Sequence, residues 1–308
     1  MTFKSCFSAF VGMALLLPSC LPVVRQKAYF TSPLNGYSAD YHPLPQLRDS
    51  ARTAVYAQGA FLGGSANEEG TDQVSAFRMS VTAAHHGKVL QAYYGGNLTL
   101  GNYHMGKWDS GYNTAGFPLP PIIGRRTSPP LNADILNTYT GGKFFGAAGF
   151  HGGINGVIPT RGGEWRFLGL ETTLHHEFGD YLAVRKKLPD TAATLIARSP
   201  FYGTIGLGSE LISNTAHGEF GFRIAYGFVL GSPYAHPDTY DELSNRYLRY
   251  RYTTLSFHYT HERVTGYLQY LSAEKAGSFG IGLAYRLTRP RTPPKPASPR
   301  HINHYYMH

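Results

Sequence analysis

The sequence predicts an all-β protein, an antiparallel up-and-down β-barrel that crosses a membrane, with about twelve strands and with ten or eight as alternative counts. Apolar side chains alternate with small or polar ones over much of residues 52–287, the period-two pattern of strands. Charged residues make up only 15% of the chain, whereas aromatic residues reach 14%. Soluble domains carry about 25% charged residues. A barrel that is surrounded by lipid needs less solvated surface, so both observations favour a membrane barrel.

The chain opens with a predicted export signal over residues 1–19. Lys4 supplies a positive charge, and the apolar run from Phe7 to Leu17 has the length of a secretory signal rather than the ~20 residues of a membrane-spanning helix. The residues that follow, Leu17-Pro18-Ser19-Cys20, resemble the lipobox of bacterial lipoproteins. That resemblance implies cleavage before Cys20, acylation of Cys20 with palmitate-type chains and a lipid-anchored mature N-terminus.

The cysteine count favours the same interpretation. Only two cysteines are present, and Cys6 lies within the predicted signal, so a structural disulfide is excluded in the exported chain. The alternative is an ordinary cleaved signal that leaves Cys20 as an incidental residue. Residues 20–50 show no sustained period and are interpreted as the lipidated N-terminus followed by a linker.

The segment from Glu219 to Leu230 shows the strand pattern in its clearest form. Phe220, Phe222 and Ile224 share one face, while Arg223 and the small residues share the other. In a membrane barrel the large apolar face contacts lipid and the small or polar face lines the lumen. The other candidate strands lie at residues 52–63, 73–85, 88–100, 142–155, 163–176, 179–188, 192–198, 201–212, 249–260, 263–272 and 279–287.

The predicted connections differ greatly in length. Those at 86–87 and 261–262 are short, and those at 101–141 and 231–248 are long. Both long connections join an odd strand to an even one, which places them at the same end of an up-and-down barrel, provided that 192–198 counts as a strand. Outer-membrane barrels have this arrangement of long outer loops and short periplasmic turns.

Residues 52–287 therefore resemble bacterial outer-membrane β-barrel proteins. The last strand, with Gly280, Leu283, Tyr285 and Leu287, is similar to the terminal signal that the barrel assembly machinery binds. The resemblance implies that machinery and membrane lipid as partners and the cell outer membrane as location, with the barrel at 51–288 anchored through Cys20. The tail at 289–308 has four cationic residues and no acid, so we expect anionic headgroups or lipopolysaccharide as partners rather than nucleic acid.

Two polar clusters are candidates for chemistry. Ser256, His258, Thr260 and Glu262 alternate onto one predicted face, the arrangement of a hydroxyl nucleophile, a base and an orienting carboxylate, and the segment faintly resembles the catalytic motif of barrel lipid A deacylases. Polar lumen lining is the competing interpretation. The run from His175 to Glu177 lacks metal-binding spacing, because adjacent strand residues point to opposite faces. The sequence predicts no metal site and no cofactor.

These patterns predict a non-enzymatic outer-membrane barrel lipoprotein that acts as a pore, a structural envelope component or a surface-interaction protein. The first alternative is a barrel enzyme that acts on lipid or lipopolysaccharide through the Ser256 to Glu262 segment. The second is a lipoprotein with a soluble β-barrel that binds an apolar ligand in its interior.

Overall fold

The computed structural model of the chain describes residues 28–33, 41–46, 52–66, 72–108, 132–193, 195–230, 251–273 and 276–289. The predicted signal with Cys20 and the end of the basic tail lie outside these ranges. No helix in the described part of the chain is long and apolar enough to cross a membrane.

Ten strands form a closed barrel in which each strand pairs antiparallel with the barrel strand before and after it, and the last strand pairs with the first. Two further strands of two residues each, β1 and β7, pair in parallel with each other. The strands are β1 (Tyr29–Phe30), β2 (Thr53–Ala66), β3 (Asp72–His86), β4 (Leu90–Met105), β5 (Gly141–Thr160), β6 (Gly163–Phe178), β7 (Leu195–Ile196), β8 (Phe201–Asn214), β9 (Glu219–Leu230), β10 (Arg251–His261), β11 (Val264–Ala273) and β12 (Ala276–Arg286). Two short helices are α1 (Ala133–Asn137) and α2 (Asp180–Lys187).

The predicted all-β barrel is confirmed, and its strand number is ten. Two of the twelve candidate strands are wrong. Residues 179–188 contain α2, and the described residues of 192–198 contribute only the end of a 3₁₀ turn and β7. The chain leaves the extended conformation at Gly179, whose φ is 111°. Asp180 in the first turn of α2 and Arg185 in the last turn carry the charges that suit the two ends of a helix.

Large apolar side chains cover the outside of the barrel, whereas small and polar ones face inward. The outward side chains of Phe150, Phe61 and Leu283 are 74%, 65% and 63% exposed. Ala225, on the inward face of β9, is buried. An apolar outer face is stable in lipid and unfavourable in water. The predicted alternative of a soluble β-barrel that binds an apolar ligand is therefore wrong, because its outer face would have to be polar.

The two ends of the barrel differ in their connections. The loop side carries the connections at 67–71, 106–140, 179–200, 231–250 and 274–275, and includes every long one. The turn side carries the connections at 87–89, 161–162, 215–218 and 262–263, and there the chain also enters β2 and leaves β12. Long connections at one end and short ones at the other are the arrangement that the sequence predicted, although the strand count behind that prediction was too high.

The seam between the last and first barrel strands is continuous, from the pair Ala276 and Ala66 to the pair Arg286 and Tyr56. The strand predicted to carry the assembly signal is β12. Gly280 faces the lumen, and Leu283, Tyr285 and Leu287 point outward. These outward side chains lie where a membrane or an assembly partner can contact them.

Candidate functional site: the occupied lumen

The loop-side half of the lumen is filled by an apolar cluster that the connections and the N-terminal segment supply. Leu136 of α1, Tyr181 of α2 and Phe30 of β1 are buried there against inward-facing residues of the barrel. Phe30 packs edge-on against Trp108, with ring centroids 6.3 Å apart, and its carbonyl accepts a hydrogen bond from the amide of Ala197 at 2.8 Å. Residues 28–33 are thus fixed at the loop side.

An ion pair and a stacked ring pair hold α2 in this position. Arg185 of α2 lies 2.5 Å from Glu177 of β6, and both side chains are fully buried. Tyr181 stacks on Tyr103 of β4 at 3.9 Å, and the Tyr103 hydroxyl donates to Asp72 at 2.7 Å. Burial raises the pKa of Tyr181, so its phenol remains protonated. The helix is therefore a packed part of the lumen rather than a surface loop.

Residues 41–46 occupy the turn-side half of the lumen. The Tyr41 hydroxyl donates to Glu210 at 2.6 Å and contacts Nδ1 of His258. Arg166 donates to the carbonyl of Leu44 at 2.6 Å, and the amide of Gln46 donates to both carboxylate oxygens of Glu219 at 3.0 Å. Residues 41–46, a part of the segment predicted as a linker, therefore lie inside the barrel, and we call them the lumen segment.

The wall around the lumen segment consists of paired charges. Arg166 lies 2.5 Å from Glu164 and 2.6 Å from Glu210. Arg223 forms an ion pair with Glu171. A buried ion costs several kcal/mol in desolvation, and excellent geometry with additional hydrogen bonds offsets that cost. Removal of either partner leaves an uncompensated charge, so these pairs fix the shape of the lumen.

A pair of stacked histidines joins the lumen segment to the opposite wall. The rings of His42 and His151 lie 3.6 Å apart at an interplanar angle of 12°. Nδ1 of His42 lies 3.1 Å from Oε1 of Gln58 on β2. These contacts fix the lumen segment against β5 and β2.

The four residues of the alternative enzyme hypothesis come together only in part. Ser256, His258 and Thr260 face the lumen and are buried, as the alternation predicts. Glu262 does not join them, because it lies in the turn after β10 with φ of 54° and is exposed. The prediction that it shares their face is wrong, since the strand ends at His261 and alternation ends with it.

The contacts of His258 differ from those of a catalytic base beside a hydroxyl nucleophile. Its partners are Tyr41, Glu210 and Glu219, the last with Oε1 3.5 Å from Nε2. Within the described residues, the hydroxyl of Ser256 has no hydrogen-bond partner, and that of Thr260 is paired with Thr265 at 2.9 Å. In this arrangement His258 is a contact of the lumen segment.

No group of three or more His, Cys, Asp or Glu residues in the described part of the chain is placed to hold a metal ion. His175 and Glu177 point into the lumen and His176 points outward, as expected for adjacent residues on a strand. His175 stacks on Tyr202, with ring centroids 5.1 Å apart. This run therefore contributes to lumen packing.

Sequence reasoning put Arg223 on the lumen face and His258 on a polar face, but it missed Glu210 and missed that these side chains surround the lumen segment. Glu210 and Arg223 are directly paired across β8 and β9, and both lie on the small-residue faces of their strands. Opposite charges on inward faces were the available signal. Tyr41 carried no signal, because a segment without a period gives no face on which to place a side chain.

Comparison with solved structures finds bacterial outer-membrane β-barrels at low sequence identity. No protein-family model matches the chain, and no curated relative matches it. The chain is similar to Neisserial surface protein A, with 12% identity, 77% of this chain and 97% of that chain covered, and a TM-score of 0.28. The transport unit of the autotransporter AIDA-I from Escherichia coli is similar at 10% identity, with 82% of this chain and 95% of that chain covered and a TM-score of 0.34. The KdgM porin is similar at 9% identity, with 76% of this chain and 98% of that chain covered and a TM-score of 0.26.

The closed antiparallel sheet and its apolar outer face define the class of this protein, a β-barrel membrane protein. Within that class it is a ten-stranded barrel whose lumen holds part of its own N-terminal region and a helix from one of its loops.

Proposed function

We propose that this protein is a non-enzymatic outer-membrane β-barrel lipoprotein that acts as a structural or surface component of the envelope, and that its barrel does not conduct in the resting state. The observation that carries the proposal is the occupation of both halves of the lumen. Residues 28–33 and α2 fill the loop side, and the lumen segment fills the turn side. Diffusion through the lumen requires displacement of these segments.

The energetics of the lumen favour the occupied state. The lumen segment forms hydrogen bonds with three charged side chains. Its Tyr41 hydroxyl donates to Glu210, its Gln46 amide donates to Glu219, and its Leu44 carbonyl accepts from Arg166. A hydrogen bond to a charged group contributes about 1.5–3 kcal/mol. Three such contacts act together, and release of the segment requires water to replace all of them.

The connections on the loop side supply the surface for interaction. Three of them are long, at 106–140, 179–200 and 231–250. In outer-membrane barrels the longer loops face the exterior and the short turns face the periplasm. The proposal therefore places the interaction surface outside the cell. The start of β2 and the end of β12 then lie on the periplasmic side.

Conductance, fractionation and lipid labelling test the three parts of the proposal. The purified protein should show no steady conductance in planar bilayers, and it should fractionate with the outer membrane and shift its gel mobility on boiling. Metabolic labelling with palmitate should be lost in the Cys20→Ala variant. A steady open channel in the wild type would show a pore instead, and continued labelling of Cys20→Ala would show that Cys20 is not the acylated residue.

A further inference from the structure

The outer wall of the barrel carries a groove at the seam between β12 and β2. Leu283 of β12 pairs with Gly266 of β11 on one side and with Gly59 of β2 on the other, and all three residues face outward. The groove has a volume of about 800 Å³, within the range of about 300–1,000 Å³ that small-molecule sites occupy. We call it the seam groove, and its apolar walls include Phe61, Phe77, Leu268 and Ile281.

The two glycines keep the groove open, although the backbone does not require a glycine at either position. Neither Gly59 nor Gly266 has a positive φ. A Cβ atom at Gly59 would lie 3.5 Å from the ring of Phe77, and one at Gly266 would lie 3.8 Å from Leu283, both ordinary van der Waals distances. Glycine inside a strand is less stable than alanine and often marks a position where a ligand approaches the backbone closely.

The surroundings of the groove determine the chemistry of its occupant. The wall side chains Phe61, Ile281 and Leu283 are exposed on a face that contacts lipid rather than water. An empty space beside apolar side chains loses dispersion contacts, and a hydrocarbon chain restores them. An acyl chain of a membrane lipid is therefore the occupant that fits.

The charge at the turn-side end of the seam selects the headgroup. Arg52 directly precedes β2 and Arg289 follows the end of β12, and both side chains are exposed. The amide of Leu287 donates to the carbonyl of Val55 at 2.8 Å, so the two chains remain side by side beyond the last residue pair of the seam. No ion pair in the described part of the chain involves Arg52 or Arg289. Both cations are available to a phosphate.

The distance between the groove and these arginines suits one lipid molecule. Leu283 precedes Arg289 by six residues, about 20 Å along a strand. Half of a hydrocarbon core is about 15 Å thick, and transmembrane strands are tilted by about 45°. A lipid with its phosphate at the turn-side end therefore places an acyl chain in the groove. The exposed charged side chains of the turn side among the described residues are the acid Glu262 and the cations Arg52, Lys88, Arg161 and Arg289.

We propose that the seam groove binds an acyl chain of an anionic phospholipid whose phosphate contacts Arg52 and Arg289. The bound lipid lies across the seam and contacts both β12 and β2, so it stabilises the closure of the barrel. The site rests on the described residues alone. The leaflet that supplies the lipid rests on the proposed function, which places the turn side at the periplasm.

Binding of phosphatidylglycerol to the purified full chain tests the groove. The protein in detergent micelles is titrated with phosphatidylglycerol, or with phosphatidylcholine of the same acyl chains, and bound lipid is counted by native mass spectrometry. Gly59→Leu fills the groove. Gly63→Leu is its matched control on the same face of β2, where a Cβ atom would meet nothing within 4 Å. Gly266→Leu fills the groove from β11, and gel mobility before boiling shows which variants are folded.

A second pair of variants tests the headgroup contact. The double variant Arg52→Gln/Arg289→Gln removes the cations at the seam, and Lys88→Gln/Arg161→Gln removes the same net charge elsewhere on the turn side. Each basic residue near an anionic surface strengthens binding by about fivefold, so loss of the seam pair should weaken phosphatidylglycerol binding by roughly an order of magnitude. The control double variant should bind this lipid like the wild type.

We expect saturable binding of phosphatidylglycerol and weaker binding of phosphatidylcholine by the wild type. This binding should be lost in Gly59→Leu and Gly266→Leu but kept in Gly63→Leu. Equal binding of the two lipids by the wild type would overturn the proposal, as would equal binding of phosphatidylglycerol by the folded groove variants and Gly63→Leu. Preference for purified lipid A over phosphatidylglycerol would also overturn it.

Conductance of the same preparations separates this site from the proposed function. Absence of saturable binding in a protein that does not conduct would refute the site and leave the closed lumen standing. Saturable binding that depends on Gly59 in a protein that conducts steadily would support the site and refute the closed lumen.

Discussion

Substitution of Arg166 is the sharpest perturbation of the occupied lumen. In the Arg166→Met variant the carbonyl of Leu44 loses its donor, and Glu164 and Glu210 lose the cation that lies 2.5 Å and 2.6 Å away. Loss of one partner of a buried ion pair costs about 3–5 kcal/mol, because the other charge stays buried without compensation. Water that enters to solvate these carboxylates competes directly with the lumen segment.

The expected result is a barrel that stays folded and opens. In planar bilayers Arg166→Met should show conductance steps that the wild type does not, while its gel mobility still shifts on boiling. Arg263→Met is the matched control, because Arg263 lies in a turn-side connection and should leave the lumen closed. Tyr41→Phe removes one hydroxyl contact and should open the lumen less often, since a single hydrogen bond to a charged group contributes about 1.5–3 kcal/mol.

A double variant tests the electrostatic part of the reasoning. Glu210→Gln added to Arg166→Met removes one uncompensated charge and should restore part of the closed population. Conductance in Arg166→Met that equals that of Arg263→Met would refute the role of Arg166 in holding the lumen segment. If the double variant conducts as much as Arg166→Met alone, the uncompensated charge is not the cause of opening.

Two further predictions concern the outer face of the barrel and His258. Ile224 points outward near the middle of β9, so Ile224→Arg should lower the folded fraction, measured by gel mobility before boiling. An arginine near the membrane midplane costs about 2–4 kcal/mol, whereas Ile224→Leu should have no such effect. Equal folding of the two variants would argue against lipid contact. His258→Ala should leave the lipid A of the host unchanged in mass spectra, and loss of an acyl chain that depends on His258 would establish the enzyme instead.

The sequence predicts the barrel wall well because lipid and lumen impose opposite demands on alternate residues. In β9 every second side chain from Phe220 is large and outward, and the pattern determines both the strand and its faces. The pattern fails at α2, where Leu182 and Val184 are spaced like one face of a strand but are buried residues of a helix. Tertiary contacts, rather than local period, decide the structure of such a segment.

The contacts of the lumen segment could not be predicted from the sequence, for a different reason. The wall residues Glu210 and Arg223 follow the alternation and could be placed on the inner face. The residues that they surround could not, because the partners of Tyr41 and Leu44 come from strands more than 100 residues away. An irregular segment whose bonds go to distant side chains has no local pattern.

The seam between β2 and β12 has a consequence for the order in which the barrel forms. Its paired residues Ala66 and Ala276 are far apart in sequence, and contacts of such separation form slowly because loop closure precedes them. If the seam closes first, residues 28–33 and the lumen segment have to enter a ring that is already complete. If the seam closes last, the open sheet wraps around a chain that is already in place, and the ion pairs of the wall form against it. Late closure makes the N-terminal region a template for the curvature of the sheet, so variants that weaken the lumen segment should also slow the folding of the barrel.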